Sequence, residues 1–541
     1  MYSFKTCGGV VVRSMSMLLI LAVVTSMCCG LARAAVPGIT GGAKNPTFNL
    51  VASAGSTSQP DGASIYTWGF GCGKAGSAVG LIAAAAPVGY APAALTAIST
   101  CAVMQLPGPT LIVTEGDTVT VNLTNELPVA AGNTSIIFPG FKVSTTKGVA
   151  GVLAREATRG TTVTYSFTAT KPGTYVYHSG TQPELQIEMG LYGVVIVLPK
   201  TPPAVCQTPG ALGSQADYRL STAAYDHPQT CYDREYLFQL MEMDSNIHLA
   251  ALQQVTDCDA RVAATPTATC APIAVQTEPY HPNYFLINGR SMPDDMDGPY
   301  SSAYPNQPYN GNPHLHPGET MLIRAVGQGR IQHPLHIHGN HARVLARDGN
   351  LLLSSVDQLS LAGPLIFTFP TVSGQTVDAL FQWTGKGLNW DVYGHTYAGA
   401  PAGPSTAGNG DPAPCYPDLN GYYTNASNPA AIPGVTPNYG EWCADHNKPI
   451  PVTPPDPNIV ANGLWYGGTP YLGLQSIPSG SAQFISTPLP PGFASQNPSA
   501  GYAFMWHSHD EREITTNDVF PGGMMMMMII DPPAAKIDES Q

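Results

Sequence analysis

The segment HPLHIHGN, His333 to Asn340, holds three imidazoles within six residues. On an extended strand alternate side chains share a face, so His336 and His338 point one way. His333, an odd number of residues away across Pro334, points the other way. Near the end of the chain WHSHDERE (506–513) repeats the logic, with His507 and His509 on one face and Ser508 on the opposite one. Imidazole is a borderline ligand suited to copper, zinc, iron and nickel. Two such clusters, each beside a turn signal, point to metal binding rather than to satisfied core histidines. A soft metal such as copper favours a thiolate between His507 and His509, and the chain offers Ser508. Asp510, Glu511 and Glu513 follow closely. One of them turned inward would make a His–carboxylate set for zinc, iron or manganese as well as copper; otherwise HDERE is a solvated loop.

Other donors are less telling. His341 lies at an odd offset from His338 and so faces away, beside the site or at the surface. His314 and His316 form a pair ahead of the Pro317-Gly318-Glu319 turn, where exposure to solvent is the ordinary reading. The run Met524 to Met528 offers thioethers for a Cu(I) relay, but with Ile529 and Ile530 it reads as a buried final strand.

The surrounding pattern is that of β-structure. PTLIVTEGDTVTVNLTNEL (109–127) alternates β-branched and polar residues about Glu115-Gly116-Asp117, a hairpin pattern. More strands with Pro-Gly punctuation follow, and this antiparallel β region ends near Pro199. A Pro-rich connection (200–216) leads to a second β region that begins at REYLFQLMEMD and contains both histidine clusters. The expected organisation is a signal peptide (1–34), an N-terminal domain (35–200) and a C-terminal domain (217–535). The second domain carries a Pro/Gly-rich insertion at about 398–498, with Cys415 and Cys443 inside it. The fold class is all-β.

The net charge is −13, and setting aside Lys5, Arg13 and Arg33 of the leader takes it to −16. Such a surface disfavours nucleic acid and anionic membranes as partners. Lys5 and Arg13, the apolar Met15–Met27 stretch and Ala32-Arg33-Ala34 form a secretory signal pattern, and no later segment has ~20 apolar residues. An exported protein, periplasmic or extracellular and without a membrane anchor, is expected. Eight cysteines lie beyond the leader. In an oxidising compartment sequential pairing (72–101, 206–231, 258–270, 415–443) is the simplest disulfide pattern.

These motifs resemble those of the multicopper oxidases, the cupredoxin-fold family that includes laccases, over about residues 105–531 apart from the insertion. The resemblance implies tandem cupredoxin-like Greek-key β-sandwiches, with the long loop-rich insertion in the second. It assigns His333 to a type 1 copper, His336 to a type 2 copper and His338 to a type 3 copper. The family's YHSH motif stands here as YHSG, keeping His178 and placing Gly180 where a histidine belongs. Its HxHG motif corresponds to TSIIFPG, with Ile137 and Pro139 in the histidine positions. Its HCHxxxHxxxxM motif keeps His507 and His509, but Ser508 replaces the cysteine and Glu513 the later histidine. Strict spacing puts the final methionine at Asp518, and a displaced one lies within Met524–Met528.

A serine hydroxyl stays protonated at neutral pH, whereas the type 1 centre depends on a Cu–thiolate bond. That centre, and ordinary laccase chemistry with it, should be absent. Five of the family's eight cluster histidines remain: His178, His336, His338, His507 and His509. With His333 they are the candidate metal ligands, for one or two copper ions, with zinc or another transition metal as the alternative. Catalytic residues are not assigned. The readings are an exported oxidoreductase with a reduced histidine cluster, non-catalytic copper binding or sequestration, a vestigial structural module, and a zinc hydrolase using Glu511 or Glu513 as base. A small-molecule reductant or a metal donor is the partner class.

Overall fold

The computed structural model describes residues 36–73 except 43, 101–206, 219–315, 319–383 and 501–531. It also describes residue 537 and short strands at 90–91, 416–417, 423–424 and 468–471. The leader, His316, the Cys415–Cys443 pair and nearly all of the 398–498 insertion lie outside the described residues.

Four sheets stack in order. The first is built from β1 (Thr47–Ser58), β2 (Ser64–Cys72), β4 (Thr118–Asn125) and β5 (Thr162–Thr168). The second has β3 (Leu111–Thr114), β7 (Tyr192–Leu198) and β6 (Gly173–His178) as its main run. Between them Phe48, Trp68, Val121, Tyr165, Tyr177 and Val195 belong to one buried cluster. The third sheet runs β9 (Tyr284–Ile287), β8 (Arg234–Met243), β10 (Thr320–Gly327), β14 (Thr376–Gln382) and β12 (Ala342–Arg347). The fourth runs β16 (Met525–Ile530), β15 (Gly501–Ser508), β11 (His333–His336) and β13 (Thr368–Thr371). Phe238, Ile323 and Phe381 of the third sheet meet Leu335, Phe504, Trp506 and Met526 of the fourth. The result is all-β, as the alternation of apolar residues implied.

Local strand order departs from the sequence reading in one instructive place. β3 and β4 look like a hairpin, yet β3 pairs with β7 and β4 with β1 and β5, in different sheets. The Glu115–Asp117 turn, with Gly116 at φ +89°, therefore crosses the sandwich. Period-two alternation marks one buried face but does not say which strand is the partner. The sheets are also mixed rather than purely antiparallel, because β1 runs parallel to β4, β3 to β7 and β8 to β10.

The sequence reading passed over a 20-residue helix, α1 (Ser245–Ala264). Its signals are present in retrospect. Asp244 caps it by accepting from the Asn246 amide, and Ile247, Ala251, Val255 and Cys258 repeat at helical spacing on its buried side. Three disulfides join Cys72–Cys101, Cys206–Cys231 and Cys258–Cys270, the pairs that sequential order suggested.

The second and third sheets are held by a buried ionic knot as well as by apolar contacts. Arg324 donates to Glu235 (2.6 Å) and to Thr174 (2.9 Å), and Thr174 in turn donates to Asp378 (2.6 Å). Thr174 belongs to β6 and Arg324 to β10, so the knot ties the two halves of the described chain.

Candidate metal centre

Strand register assembles the site. β11 and β15 run antiparallel with Leu335 opposite Ser508 and His336 opposite His507. Residues directly opposite share a face, so the two histidine motifs are brought side by side by pairing alone. Trp506, fully buried, donates its Nε1 to the His338 carbonyl at 2.9 Å and ties the segment after β11 to β15. The rings of His336 and His338 are 5.0 Å apart between centroids, His336 and His507 5.5 Å, His336 and His509 4.8 Å, and His338 and His507 5.2 Å. His507 Nε2 lies 3.3 Å from His338 Nε2, a spacing at which one imidazole donates its proton to the other. Thr368 on β13 holds His336 Nδ1 at 2.8 Å, and the Ser508 carbonyl holds His507 Nδ1 at 2.7 Å. Such contacts fix ring orientation, as partners beyond the ligands do in metal sites.

The electrostatics favour neutral, ligating imidazoles. Burial, reinforced by the neighbouring imidazoles of His338, His507 and His509, holds His336 down to about 4. Burial likewise lowers His507, and it lowers His178. The four donors surround a common region, although among the described residues no three His, Cys, Asp or Glu side chains converge on a single point.

His178 belongs to the second sheet. It ends β6, bridged to Ile137 through backbone hydrogen bonds of 2.9 and 3.3 Å, with its Nδ1 3.0 Å from the Ser179 carbonyl. TSIIFPG and YHSG are thus spatial neighbours, as their matched motifs implied. Ile137, at a histidine position of the matched motif, pairs with His178 through the backbone. A Cβ on Gly180 would come within 2.8 Å of the Ile137 side chain.

His333 faces away from the four rings into a buried polar network. Its Nε2 lies 2.8 Å from Glu242 and its Nδ1 2.9 Å from Glu513, the latter an ion-pair contact rather than a well-aligned hydrogen bond. Ser508 donates to the other oxygen of Glu513 at 2.5 Å. Burial works against charge on His333, but the two carboxylates outweigh it and lift the imidazole to about 9. Both ring nitrogens of this imidazolium are therefore engaged at neutral pH. The three positions that the resemblance gives to a blue copper, His333, Ser508 and Glu513, do meet in space, as a proton-bearing network without a thiolate.

Glu242 carries the network onward, accepting from the Arg330 and Ile331 amides at 2.6 and 3.1 Å. The Tyr280 hydroxyl stands 3.2 Å from Glu242 and 2.7 Å from Glu188, whose carboxyl burial pushes up to about 8. Sequence reading missed Glu242, Tyr280 and Glu188. The available signal was a carboxylate within the apolar strand QLMEM. HDERE proves to be divided: Asp510 and Glu511 are exposed, while a short 3₁₀ turn, Glu511–Ile514, carries Glu513 inward. His341 packs its ring on Phe367 (4.9 Å), and His314 pairs with Asp531 (2.7 Å).

Substituting Ser508→Ala should cost about 1–2 kcal/mol, because a buried Glu513 oxygen loses its donor. Equilibrium denaturation reads that loss, and metal content should not change.

Residues 93–202 match the family model described as Multicopper oxidase. Laccase abr2 of Aspergillus fumigatus is 38% identical over 99 residues, 18% of this chain and 16% of that protein. L-ascorbate oxidase of Brassica rapa is 40% identical over 96 residues, 17% and 16% of the two chains. A copper-containing nitrite reductase of Neisseria meningitidis is 37% identical over 100 residues, 18% and 24%. The chain therefore spans only about a sixth to a quarter of the length of these curated relatives. Among solved structures, the blue copper oxidase of Nitrosomonas europaea aligns with a TM-score of 0.42 at 16% identity, over 89% of this chain and 85% of that one.

The likeness to the multicopper oxidase family model thus covers residues 93–202, about a fifth of the chain. The matched stretch includes His178 and ends before the four-histidine group.

Proposed function

We propose that the protein is an exported copper-binding member of the multicopper oxidase family whose working site is the four-histidine group, with no type 1 copper. The observation that carries this reading is the register of His336 against His507, which gathers four imidazoles on one sheet face. Borderline nitrogen donors, of which His336 and His507 are held towards the neutral form by burial, fit copper, and they also accept zinc. The His333 group does not fit copper, since it lacks a thiolate and its ring nitrogens face carboxylates. Copper bound at the four histidines would supply redox and Lewis-acid chemistry. Around it, Thr368 and the Ser508 carbonyl orient the rings and Trp506 closes the side toward the core.

On this reading one or two ions are reached directly by a small reductant, and the enzyme is an oxidoreductase without ordinary laccase chemistry. A second reading, copper holding and delivery without turnover, is favoured by the hydrogen-bonded network that fills the place of electron entry. Export to the periplasm or beyond is supported by the three disulfides, which belong to oxidising compartments. We take 35–200 and 217–535 as the two folding units, with Ile247, Ala251, Val255 and Cys258 of α1 in the second packing into the core cluster of the first.

Visible and EPR spectra of copper-loaded protein, with oxygen uptake on a phenolic reductant, test these readings. Non-blue Cu(II) signals without an intense thiolate band are expected. Copper-dependent oxygen uptake supports the oxidoreductase, and stoichiometric copper without uptake supports holding and delivery. A strong thiolate band, or protein that rejects both copper and zinc, overturns the proposal.

A further inference from the structure

The five consecutive methionines do not share one fate. Along β16 alternate side chains face opposite ways, and Met524, Met526 and Met528 enter the core between the third and fourth sheets. Met525 and Met527 face the other side. β15 and β16 pair with His507 opposite Met525 and Met505 opposite Met527. The Ser508 amide donates to the Met524 carbonyl at 2.9 Å. The next pair, His507 and Met525, is therefore of the non-hydrogen-bonded kind, in which side chains approach most closely. Across three adjacent strands His336, His507 and Met525 form one row. Met505 and Met527 form the next, on the side toward His338.

Packing accounts for the inward methionines, which fill a core between aromatic rings. The outward ones lie on the histidine face: Met525 is buried there, and Met505 and Met527 are half-buried, where β-branched residues fit a sheet best. What thioethers contribute is softness: with imidazole they select Cu(I) over harder divalent ions.

We infer that this face is a cuprous-ion site in which Met525, with Met505 and Met527 beside it, adds thioether sulfur to the imidazoles of His336 and His507. The inference rests on the four-histidine group being a metal site, and it specifies the ion held. Cu(I) is retained there in preference to Zn(II).

The test is an anaerobic titration of the full-length, metal-free protein with Cu(I) against bicinchoninate, alongside a separate Zn(II) titration. Met525→Leu should weaken Cu(I) binding by about tenfold or more, one decade being a modest ligand energy, and the Met505→Leu/Met525→Leu/Met527→Leu protein should weaken it further. Zn(II) affinity should be unchanged in both, since Leu conserves volume. Unaltered Cu(I) affinity in the triple variant overturns the inference. X-ray absorption of the Cu(I)-loaded wild type gives an answer independent of variant folding: sulfur among the copper ligands supports the site, and nitrogen or oxygen alone overturns it. Wild-type protein that binds neither ion refutes the underlying four-histidine reading as well. Binding through nitrogen alone refutes only the thioether site.

Discussion

A chain carrying both His336→Ala and His507→Ala should take up no stoichiometric copper in equilibrium dialysis followed by elemental analysis. These two imidazoles face each other across the β11–β15 pairing, and the ring contacts His336–His338, His336–His507, His336–His509, His338–His507 and His507–His509 all involve one or the other. Removing both leaves two donors on separate segments beyond the paired strands. Two monodentate imidazoles without fixed orientation do not hold an ion at micromolar concentrations against buffer. The fold should survive, because neither ring belongs to the apolar cluster between the sheets. Thermal unfolding of the apo protein close to that of the wild type is the control. Copper retained by the double variant would show that the wrong cluster has been chosen.

The second large effect concerns stability. His333→Ala should cost about 3–5 kcal/mol, the range found when one partner of a buried ion pair is removed. Glu242 and Glu513 would then remain buried without their common counter-charge. Denaturant unfolding of the apo protein measures it. Copper stoichiometry should persist in whatever fraction folds, which separates a stabilising His333 from a ligating one. The same network predicts a pH dependence. His333 is lifted to about 9 in the fold, against an unfolded value of about 6.5. Its contribution is therefore complete below about pH 6.5 and disappears as pH rises through 9. Glu188, raised to about 8 by burial, acts in the same sense from its ordinary range upward. His248, which burial lowers to about 4, acts oppositely and removes stability as pH falls from 6.5 towards 4. Apo-protein stability should thus decline between about pH 7 and 9, and the His333 part of that decline should vanish in the alanine variant. A flat alkaline profile in the wild type would contradict the ion-pair assignment.

Much of the site is legible along the chain. HxxHxH and HxH reveal their faces because strand periodicity is local: two residues apart means the same side, whatever the strand packs against. The replacement of a thiolate by Ser508 needs no structure either, since acidity belongs to the side chain. Glu513 was harder. Within HDERE nothing local distinguishes an exposed carboxylate from one that a single 3₁₀ turn carries under the sheet. The β3–β4 pair failed as a hairpin for a related reason, because alternation reports burial of a face and not the identity of the neighbour.

The sequence by itself determined the strand-rich class, the candidate donors, which of them share a face, and that Ser508 rather than a thiol stands between His507 and His509. All of these follow from residue chemistry and the two-residue repeat. Tertiary structure decided what those donors meet. It set His336 beside His507 and Met525 across three strands, left His178 on another sheet, and turned His333 towards Glu242, 91 residues earlier in the chain. Long-range register and the low dielectric of a closed core create those relations, and neither is written in any short stretch of sequence.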